Sequence, residues 1–282
     1  MRKVIFSVVA ILLLTMCGDK NNDYLVTIKT QFGDMKVLLY EETPLHKSNF
    51  LQLARDGKYD STQWHRVIED FMVQGGDIYA RTDEKEKESD RIPAEIVDGF
   101  YHTKGALAAA RQDTRVNPEK MSSSSQFYIV DGKQFEEREF TIDQMALNRG
   151  VSELLQKPEY DSLAERFLAL QQEKKYEEMN KLAYECVELV EQELGLDLTR
   201  DADPDVIERY TTTAGAPHLD GEYTVFGRVV EGLDVIDKIA AVPVNRNDKP
   251  LEPIYLTMEV EKLPKKEITE MYGYEYPAAE TQ

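Results

Sequence analysis

The stretch WHRVIEDFMVQGGD, residues 64–77, is the most distinctive part of the chain. It combines one arginine, Arg66, with an apolar cluster, a glutamine and two glycines, and it contains no serine, threonine, cysteine or lysine to act as a nucleophile. Gly75 and Gly76 lack the following Lys-Ser/Thr pair of a phosphate-binding loop. The glycine pair therefore predicts a tight backbone turn.

Outside this stretch, β-type sequence patterns predominate. LVTIKTQFGDMKVLLYE, residues 25–41, predicts a hairpin that turns at Gly33-Asp34. Further strands are predicted in GALAAA (105–110), SQFYIVDG (125–132), EYTVFGRVV (222–230) and residues 254–260. Two helices are predicted from apolar residues at helical spacing, one between Thr43-Pro44 and Gly57 and one over 232–241. Many strands with two helices suit a closed antiparallel barrel capped by helices, so the fold is predicted to be mainly β.

Residues 133–216 interrupt the β pattern and are predicted to form an α-helical insertion between two barrel segments, 24–132 and 217–264. Leu182, Cys186, Leu189 and Val190 recur there at three- and four-residue steps. The insertion holds 10 Lys and Arg against 20 Asp and Glu, a net charge of 10 − 20 = −10. Two interpretations stay open: a solvated spacer, or an acidic element that recognises basic partners.

The N-terminus has the pattern of an export signal. Arg2 and Lys3 precede an apolar run from Val4 to Leu14, about eleven residues, which is too short to span a bilayer. Residues 1–17 are thus predicted to be a signal peptide that ends at Cys17, which resembles the lipidation site of bacterial lipoproteins. Residues 18–23 are predicted to be a polar tether and residues 265–282 a C-terminal tail. The mature protein is expected to be exported and lipid-anchored to a bacterial membrane, on its periplasmic or outer side.

The overall charge and the histidines restrict the possible ligands. The formal net charge of −19 repels phosphate backbones, so nucleic acid is not expected as a partner. No two of the four histidines, His46, His65, His102 and His218, have metal-ligand spacing, and no cysteine pair joins them. Neither a metal site nor a cofactor is expected.

Four blocks of sequence, in order, resemble the cyclophilin-type peptidyl-prolyl cis-trans isomerases. These blocks are NFLQLARDGKYDSTQWHRVIEDFMVQGGD, GALAAAR, SSQFYI and HLDGEYTVFGRVVEGLDVIDKI. With the first hairpin they cover most of residues 24–263 outside the insertion. The resemblance implies an eight-stranded antiparallel barrel capped by two helices, in agreement with the pattern described above.

The resemblance also implies a set of site residues. Arg66 matches the catalytic arginine of the family. The matching substrate-binding positions are Phe71, Met72, Gln74, Ala110, Gln126, Tyr128, Leu219 and Tyr223. Two positions depart from the usual pattern: Tyr128 stands where the family usually has phenylalanine, and His218 stands where many members have tryptophan.

The expected function is catalysis of X–Pro bond rotation in exported proteins, with proline-containing proteins or peptides as clients. A second hypothesis is a binding module, a holdase or scaffold that grips proline-containing or unfolded segments through the insertion with little turnover. The presence of Arg66 together with the pocket residues favours the enzyme. The sequence leaves the clients and the oligomeric state open.

Overall fold

The structure is a computed structural model that describes residues 21–276. Within this range nine strands form one antiparallel sheet in the order β3-β9-β1-β2-β8-β6-β7-β5-β4. The strands are β1 (Asn22–Thr30), β2 (Gly33–Leu39), β3 (Thr62–Gln63), β4 (Arg66–Ile68), β5 (Met72–Gly75), β6 (Ala106–Arg111), β7 (Ser122–Val130), β8 (Val225–Glu231) and β9 (Tyr255–Pro264).

The stretch quoted above brings the two ends of this sheet together. β3 and β4 are the two ends of the strand order, yet only residues 64 and 65 separate them along the chain. The Trp64 N–H donates to Ile254 O (2.9 Å) beside β9, and the His65 N–H donates to Gln74 O (3.0 Å) in β5. The backbone thus switches pairing partner between two consecutive residues, and the sheet curls into a barrel-like form.

Side chains alternate between the two faces of the curled sheet and form two clusters. Leu107 and Ala109 of β6, with Phe127 and Ile129 of β7, point into the barrel core. Their neighbours on the same strands point to the opposite face, in a second cluster that also contains Met72, Leu219 and Val225: Ala106, Ala108, Ala110, Tyr128 and Val130. This second cluster positions the site described below.

Helices α1 (Pro44–Arg55) and α8 (Leu233–Ala240) pack their apolar faces on the barrel core, as predicted. The prediction of a mainly β antiparallel barrel with capping helices is confirmed, although residues 21–276 contain nine strands rather than eight. The sequence patterns did not identify β3, β4 or β5, because strands of two to four residues are too short to show a period of two.

Helix α1 is capped from a distant loop. Thr43 lies at its N-cap position but makes no side-chain cap hydrogen bond. The Glu95 carboxylate instead accepts hydrogen bonds from the N–H groups of Leu45 and His46, each at 3.0 Å. The same carboxylate lies 2.6 Å from His46 Nδ1. Glu95, about fifty residues further along the chain, therefore caps the helix in place of the adjacent Thr43.

The predicted insertion contains six helices and a hydrophobic core of its own. The helices are α2 (Arg138–Thr141), α3 (Gln144–Leu154), α4 (Asp161–Gln172), α5 (Tyr176–Glu185), α6 (Val187–Leu194) and α7 (Pro204–Thr212). Their core is formed by Leu147, Val151, Leu154, Ala183, Cys186, Val190 and Leu198. Cys186 is buried, as expected for a packing residue, and burial raises the pKa of its thiol.

The insertion begins and ends at one place on the barrel. Lys133 and Gly215 exchange backbone hydrogen bonds of 3.3 and 2.9 Å. Further out, Ile142 pairs with Thr199 as an isolated bridge. The entering and leaving chains therefore run side by side, and the second crossing point separates α3–α6 from the segments nearer the barrel.

The C-terminal tail contains a helix, α9 (Lys265–Tyr272), that packs beside β9. Ile268 of this helix is fully buried, and the Tyr274 ring stacks on Tyr40 at 6.2 Å. The helices within residues 21–276 are all too short or too polar to cross a membrane. Cys17 and the rest of the predicted signal peptide lie outside the described residues.

Candidate functional site

A two-stranded hairpin of the quoted stretch presents Arg66. β4 pairs with β5 in the register Arg66↔Gln74, Val67↔Val73 and Ile68↔Met72. Directly paired residues share one face, so the alternation places Val67 and Val73 in the barrel core and Arg66, Gln74 and Met72 on the opposite face. The hairpin thereby places the charged Arg66 on the same face as the apolar side chain of Met72.

A pocket opens on this face of the sheet. It is lined by Arg66, Phe71, Met72, Gln74, Ala110, Arg111, Tyr128, Leu219 and Tyr223. Its volume of about 90 Å³ is well below the roughly 300–1,000 Å³ of pockets that take a whole small-molecule ligand. The pocket is therefore of a size for one ring or side chain of a longer ligand.

The pocket has apolar walls and a polar, accessible rim. Met72, Tyr128 and Leu219 are 2, 5 and 7% exposed and form its inner surface. The Arg66 side chain is 44% exposed, and its Nε lies 3.7 Å from Asp248 Oδ2 in a loose ion pair. The guanidinium is thus charged and accessible, and it makes no strong competing hydrogen bond with the residues that the structure describes. No helix of the insertion is among the elements that line this pocket.

Eight of the nine residues predicted for catalysis or substrate binding line this one pocket. The ninth, Gln126, is two residues from Tyr128 on β7 and lies beside the pocket, where it contacts Gln74. Its Oε1 accepts a hydrogen bond of 3.1 Å from Gln74 Nε2. The structure therefore makes Gln126 a residue that orients the Gln74 amide.

Tyr128, which replaces the usual phenylalanine, has a partner for its extra hydroxyl. Its ring forms the floor of the pocket, and its hydroxyl lies 3.0 Å from Nε2 of the buried His102. Burial raises the pKa of Tyr128 well above its usual value, so the hydroxyl stays protonated. His102 in turn contacts Asp220. Neither His102 nor Asp220 was identified from the sequence as a site residue.

Arg111 is a third residue that sequence reasoning missed. Its side chain is 4% exposed, and its guanidinium donates to the Glu222 backbone oxygen (2.9 Å) and carboxylate (3.1 Å). The guanidinium also lies 4.3 Å from the centre of the Tyr223 ring, within the range of a cation–π contact. Arg111 therefore fixes Tyr223 at the pocket edge. The only sequence signal for it was its place directly after Ala110 in GALAAAR.

His218 borders the pocket on the outside. It is exposed, and its ring lies 5.3 Å from that of Phe71. Partial burial, followed by the proximity of His102, lowers the pKa of His218. A neutral imidazole therefore extends the apolar surface of Phe71 at neutral pH.

Within residues 21–276 no group of three or more His, Cys, Asp or Glu residues is arranged to hold a metal ion.

Comparison with known proteins identifies relatives of the chain. It matches the family model "Cyclophilin type peptidyl-prolyl cis-trans isomerase/CLD" over residues 25–144 and 196–260. It is 29% identical over 250 residues to a Streptococcus pyogenes protein provisionally named a bifunctional phosphatase/peptidyl-prolyl cis-trans isomerase; this match covers 83% of the chain but only 38% of that protein. It is 27% identical over 235 residues to a Staphylococcus saprophyticus protein provisionally named a peptidyl-prolyl cis-trans isomerase, covering 83% of the chain and 89% of that protein.

A solved structure agrees with the fold. The crystal structure of a cyclophilin type peptidyl-prolyl cis-trans isomerase from Cryptosporidium parvum superposes with a TM-score of 0.50 at 18% identity. The superposition covers 86% of this chain and 99% of that one. The family match omits residues 145–195, so it extends into the predicted insertion from both sides.

Proposed function

Because this chain belongs to the family of cyclophilin type peptidyl-prolyl cis-trans isomerases, we propose that it rotates X–Pro bonds in an apolar pocket where Arg66 donates to the prolyl nitrogen. The family and the names of the relatives indicate an isomerase. The role of each residue below is part of the proposal.

The chemistry needs no nucleophile. An X–Pro bond prefers trans by only about 0.5–1 kcal/mol, yet resonance in its C–N bond imposes a rotation barrier of roughly 18–20 kcal/mol. In the twisted transition state the prolyl nitrogen loses conjugation and regains a lone pair, to which a guanidinium donates. In the ground state that pair is delocalised. The hydrogen bond is therefore stronger in the transition state, which is the condition for lowering a barrier.

Arg66 alone is too weak for efficient catalysis. A hydrogen bond that involves a charged group contributes about 1.5–3 kcal/mol, whereas a thousandfold acceleration needs about 4 kcal/mol. The remainder is assigned to positioning. Phe71, Met72, Tyr128 and Leu219 hold the prolyl ring, while Gln74 and backbone groups hold the acyl side. The carbonyl then rotates relative to a fixed ring.

One observation carries the proposal. An accessible guanidinium stands at the mouth of a pocket of about 90 Å³ whose inner surface is formed by the buried side chains of Met72, Tyr128 and Leu219. A prolyl ring matches such a pocket, because it is compact and has no polar group on its side chain. The long, flexible arginine reaches over the ring to its nitrogen while remaining charged at any physiological pH.

Exchange NMR on a proline tetrapeptide tests the mechanism. Arg66→Ala is expected to lower kcat/KM roughly ten- to a hundredfold, since one charged hydrogen bond is lost from the transition state. Thermal unfolding of the variant should match that of the wild type. Arg166→Ala, which removes an exposed arginine of α4, serves as the control and is expected to leave turnover unchanged. Undiminished turnover by Arg66→Ala would refute the assignment.

We place the substrates among exported proteins. The support is the N-terminal sequence: an apolar run of signal-peptide length that ends at Cys17, with a polar tether after it. In a bacterial host, Cys17→Ser is expected to move the protein from the membrane fraction to the soluble fraction. Mass spectrometry of the mature N-terminus should find an acylated Cys17 in the wild type; an unmodified cysteine there contradicts the anchor.

A second candidate function is client binding by the insertion. Several large apolar side chains of its helices are unusually exposed: Met145 by 71%, Leu168 by 52% and Tyr176 by 57%. Helix α4 has no residue that is fully buried. Exposed apolar groups within a segment of net charge −10 suit partly unfolded, basic clients.

A further inference from the structure

Four polar side chains link insertion helix α7 to the floor of the proline pocket. The Tyr210 hydroxyl donates to Asp220 Oδ2 (2.6 Å), Asp220 Oδ1 lies 2.9 Å from His102 Nδ1, and His102 Nε2 lies 3.0 Å from the Tyr128 hydroxyl. Tyr210 and His102 are fully buried, and Tyr128 is 5% exposed. Three of these residues have no part in the bond rotation itself.

The direction of each hydrogen bond follows from the groups involved. An ionised carboxylate only accepts, so His102 Nδ1 carries the proton that faces Asp220. In this tautomer Nε2 accepts from the Tyr128 hydroxyl, which lies 3.0 Å away. Burial raises the pKa of Tyr128, and burial followed by the hydrogen bond to Asp220 raises the pKa of Tyr210. Both tyrosines thus remain donors, and the hydrogen bonds converge on the Asp220 carboxylate from the two ends of the chain.

The insertion fixes the Tyr210 end of this chain. Tyr210 lies near the end of α7, where its ring packs against Phe135 at 6.3 Å and Phe140 at 6.4 Å. The Phe135 N–H donates to Tyr210 O (3.0 Å). Close to the root of the insertion, the ring lies so near Gly215 that an added Cβ there would be 2.4 Å from Tyr210 Cε1. The ring therefore has no room to shift.

The other end of the chain fixes the pocket. The His102 and Tyr128 rings are nearly parallel, with an interplanar angle of 15° and centroids 6.0 Å apart. Asp220 also accepts from the His102 backbone N–H (2.8 Å) and directly follows Leu219, a wall of the pocket. One carboxylate thus connects the floor of the pocket, one of its walls and the insertion.

We propose that Tyr210, Asp220 and His102 are positioning residues that hold the Tyr128 ring, so that the helical insertion sets the shape of the proline pocket. A phenylalanine floor would need no such support. A buried tyrosine hydroxyl is unfavourable without a partner, so the tilt of the Tyr128 ring depends on His102. The orientation of His102 depends on Asp220, which Tyr210 holds. The expected effect on catalysis rests on the proposed function, whereas the hydrogen-bonded geometry does not depend on it.

A double-mutant cycle tests the coupling. Tyr210→Phe removes one hydroxyl and keeps the ring. It is expected to raise KM for a proline tetrapeptide about three- to tenfold and to change kcat by less than twofold, because the prolyl ring is held less well while Arg66 is untouched. In a Tyr128→Phe background the same substitution should have no further effect. Tyr184→Phe, which removes a hydroxyl from helix α5, is the control and should leave both constants unchanged.

Additive effects of Tyr210→Phe and Tyr128→Phe, or an unchanged KM in Tyr210→Phe, would overturn the proposal. A merely structural role would lower the thermal stability of Tyr210→Phe without changing the ratio of KM to kcat, and that result also overturns it. An inactive wild type would refute the proposed function, so NMR of the unliganded protein supplies a separate measurement.

The NMR measurement needs no turnover. Tyr210→Phe is expected to shift the ring resonances of Tyr128 and His102, whereas Tyr184→Phe is not. By reciprocity, Tyr128→Phe should shift the backbone amide of Tyr210 in α7. This second comparison stands even if Tyr210→Phe does not fold. Unchanged resonances at the far end of the chain contradict the coupling, whatever the activity.

Discussion

Gly76 illustrates how a single position in the quoted stretch serves the fold rather than the chemistry. Its φ of +80° lies in the left-handed region, and a Cβ there would come within 2.6 Å of the Phe127 ring and 2.7 Å of Ser125 O. Phe127 lies next to Tyr128 on β7, and its side chain belongs to the barrel core on the opposite face of the sheet. The sequence predicted a tight turn at the glycine pair, but the structure places Gly75 in β5 and Gly76 directly after it. Backbone conformation and close packing both require glycine at position 76.

Gly76→Ala is expected to lower the free energy of unfolding by about 2–4 kcal/mol, through backbone strain and overpacking together. Gly195→Ala is the matched control, since Gly195 also has a positive φ of 63° but no atom within 4 Å of its missing Cβ. It should lose only about 1 kcal/mol. Urea denaturation at equilibrium measures both, and equal losses would mean that the Phe127 contact contributes nothing.

Some residues of the site could be identified from the sequence, and others could not. Arg66, Met72 and Gln74 lie within ten residues of one another, so a motif records them. Asp220 meets His102 across 118 positions, and Tyr128 meets His102 across 26. Such partners share no local pattern, because each contact depends on how separate strands are brought together. His102 was considered from the sequence only as a metal ligand.

At the scale of elements, helix α1 depends on a residue outside it. Glu95, whose side chain is 13% exposed, satisfies two N–H groups of the first helical turn that would otherwise be unpaired. Its own N–H donates to Thr224 Oγ1 at 3.0 Å. Periodicity correctly located the helix, but it gave no indication of this cap, since the capping residue lies some fifty positions away.

Glu95→Ala is expected to destabilise the protein by about 1–3 kcal/mol, because the helix loses its cap and the N–H groups of Leu45 and His46 are left without their acceptor. Chemical denaturation measures the change. Glu119→Ala, at an exposed position, should alter stability by less than about 0.5 kcal/mol. A Glu95 variant as stable as the Glu119 variant would show that water or Thr43 replaces the cap.

The same contact makes α1 sensitive to pH. Burial lowers the pKa of His46 below 6.5, and the hydrogen bond with Glu95 only partly opposes this effect. The unfolded chain therefore binds a proton near pH 6.5 that the folded chain does not yet bind. Stability is complete above about pH 6.5 and declines as the pH falls below it, by at most about 1.4 kcal/mol per pH unit for this histidine.

Unfolding free energies measured between pH 7.5 and 5.5 check the direction in which stability changes with pH. His46→Gln should show a shallower decline than the wild type. Some decline should remain, because burial also lowers the pKa of His65. A wild type that becomes more stable on acidification in this range is incompatible with the buried, neutral His46.

At the scale of the whole molecule, the chain folds around a barrel core and around another core in the insertion. The barrel core and the core of the insertion are separate clusters. The two chain segments that connect these cores pair with each other at two places, Lys133 with Gly215 and Ile142 with Thr199. The pocket residues and Tyr210 all lie outside α3–α6. Helices α3–α6, the outer part of the insertion, therefore contribute no residue to the site.

A variant with residues 145–195 replaced by a short glycine linker tests this separation. The linker is feasible because the Asp143 N–H donates to Leu198 O at 2.8 Å, so the two ends already meet. Turnover of a proline tetrapeptide is expected to stay within about twofold of the wild type, since Tyr210 and the pocket are retained. Proline-limited refolding of a basic protein client is expected to slow several-fold.

An acidic client of similar size is the control, and its refolding should change less. Equal refolding rates for the deletion variant and the wild type, with both clients, would support the spacer interpretation of the insertion. Loss of tetrapeptide turnover in a variant that remains folded would instead mean that α3–α6 contribute to the site.

The family, the mainly β fold with its two capping helices and eight of the pocket-lining residues could be predicted from the sequence, because each depends on residues close along the chain or on ordered blocks. The folded structure was needed to show that the sheet closes at Trp64 and His65, that Glu95 caps α1, and that Tyr210 reaches the pocket floor through Asp220 and His102. Each of those depends on a hydrogen bond between residues or strands that meet only after folding, and no local periodicity carries that information.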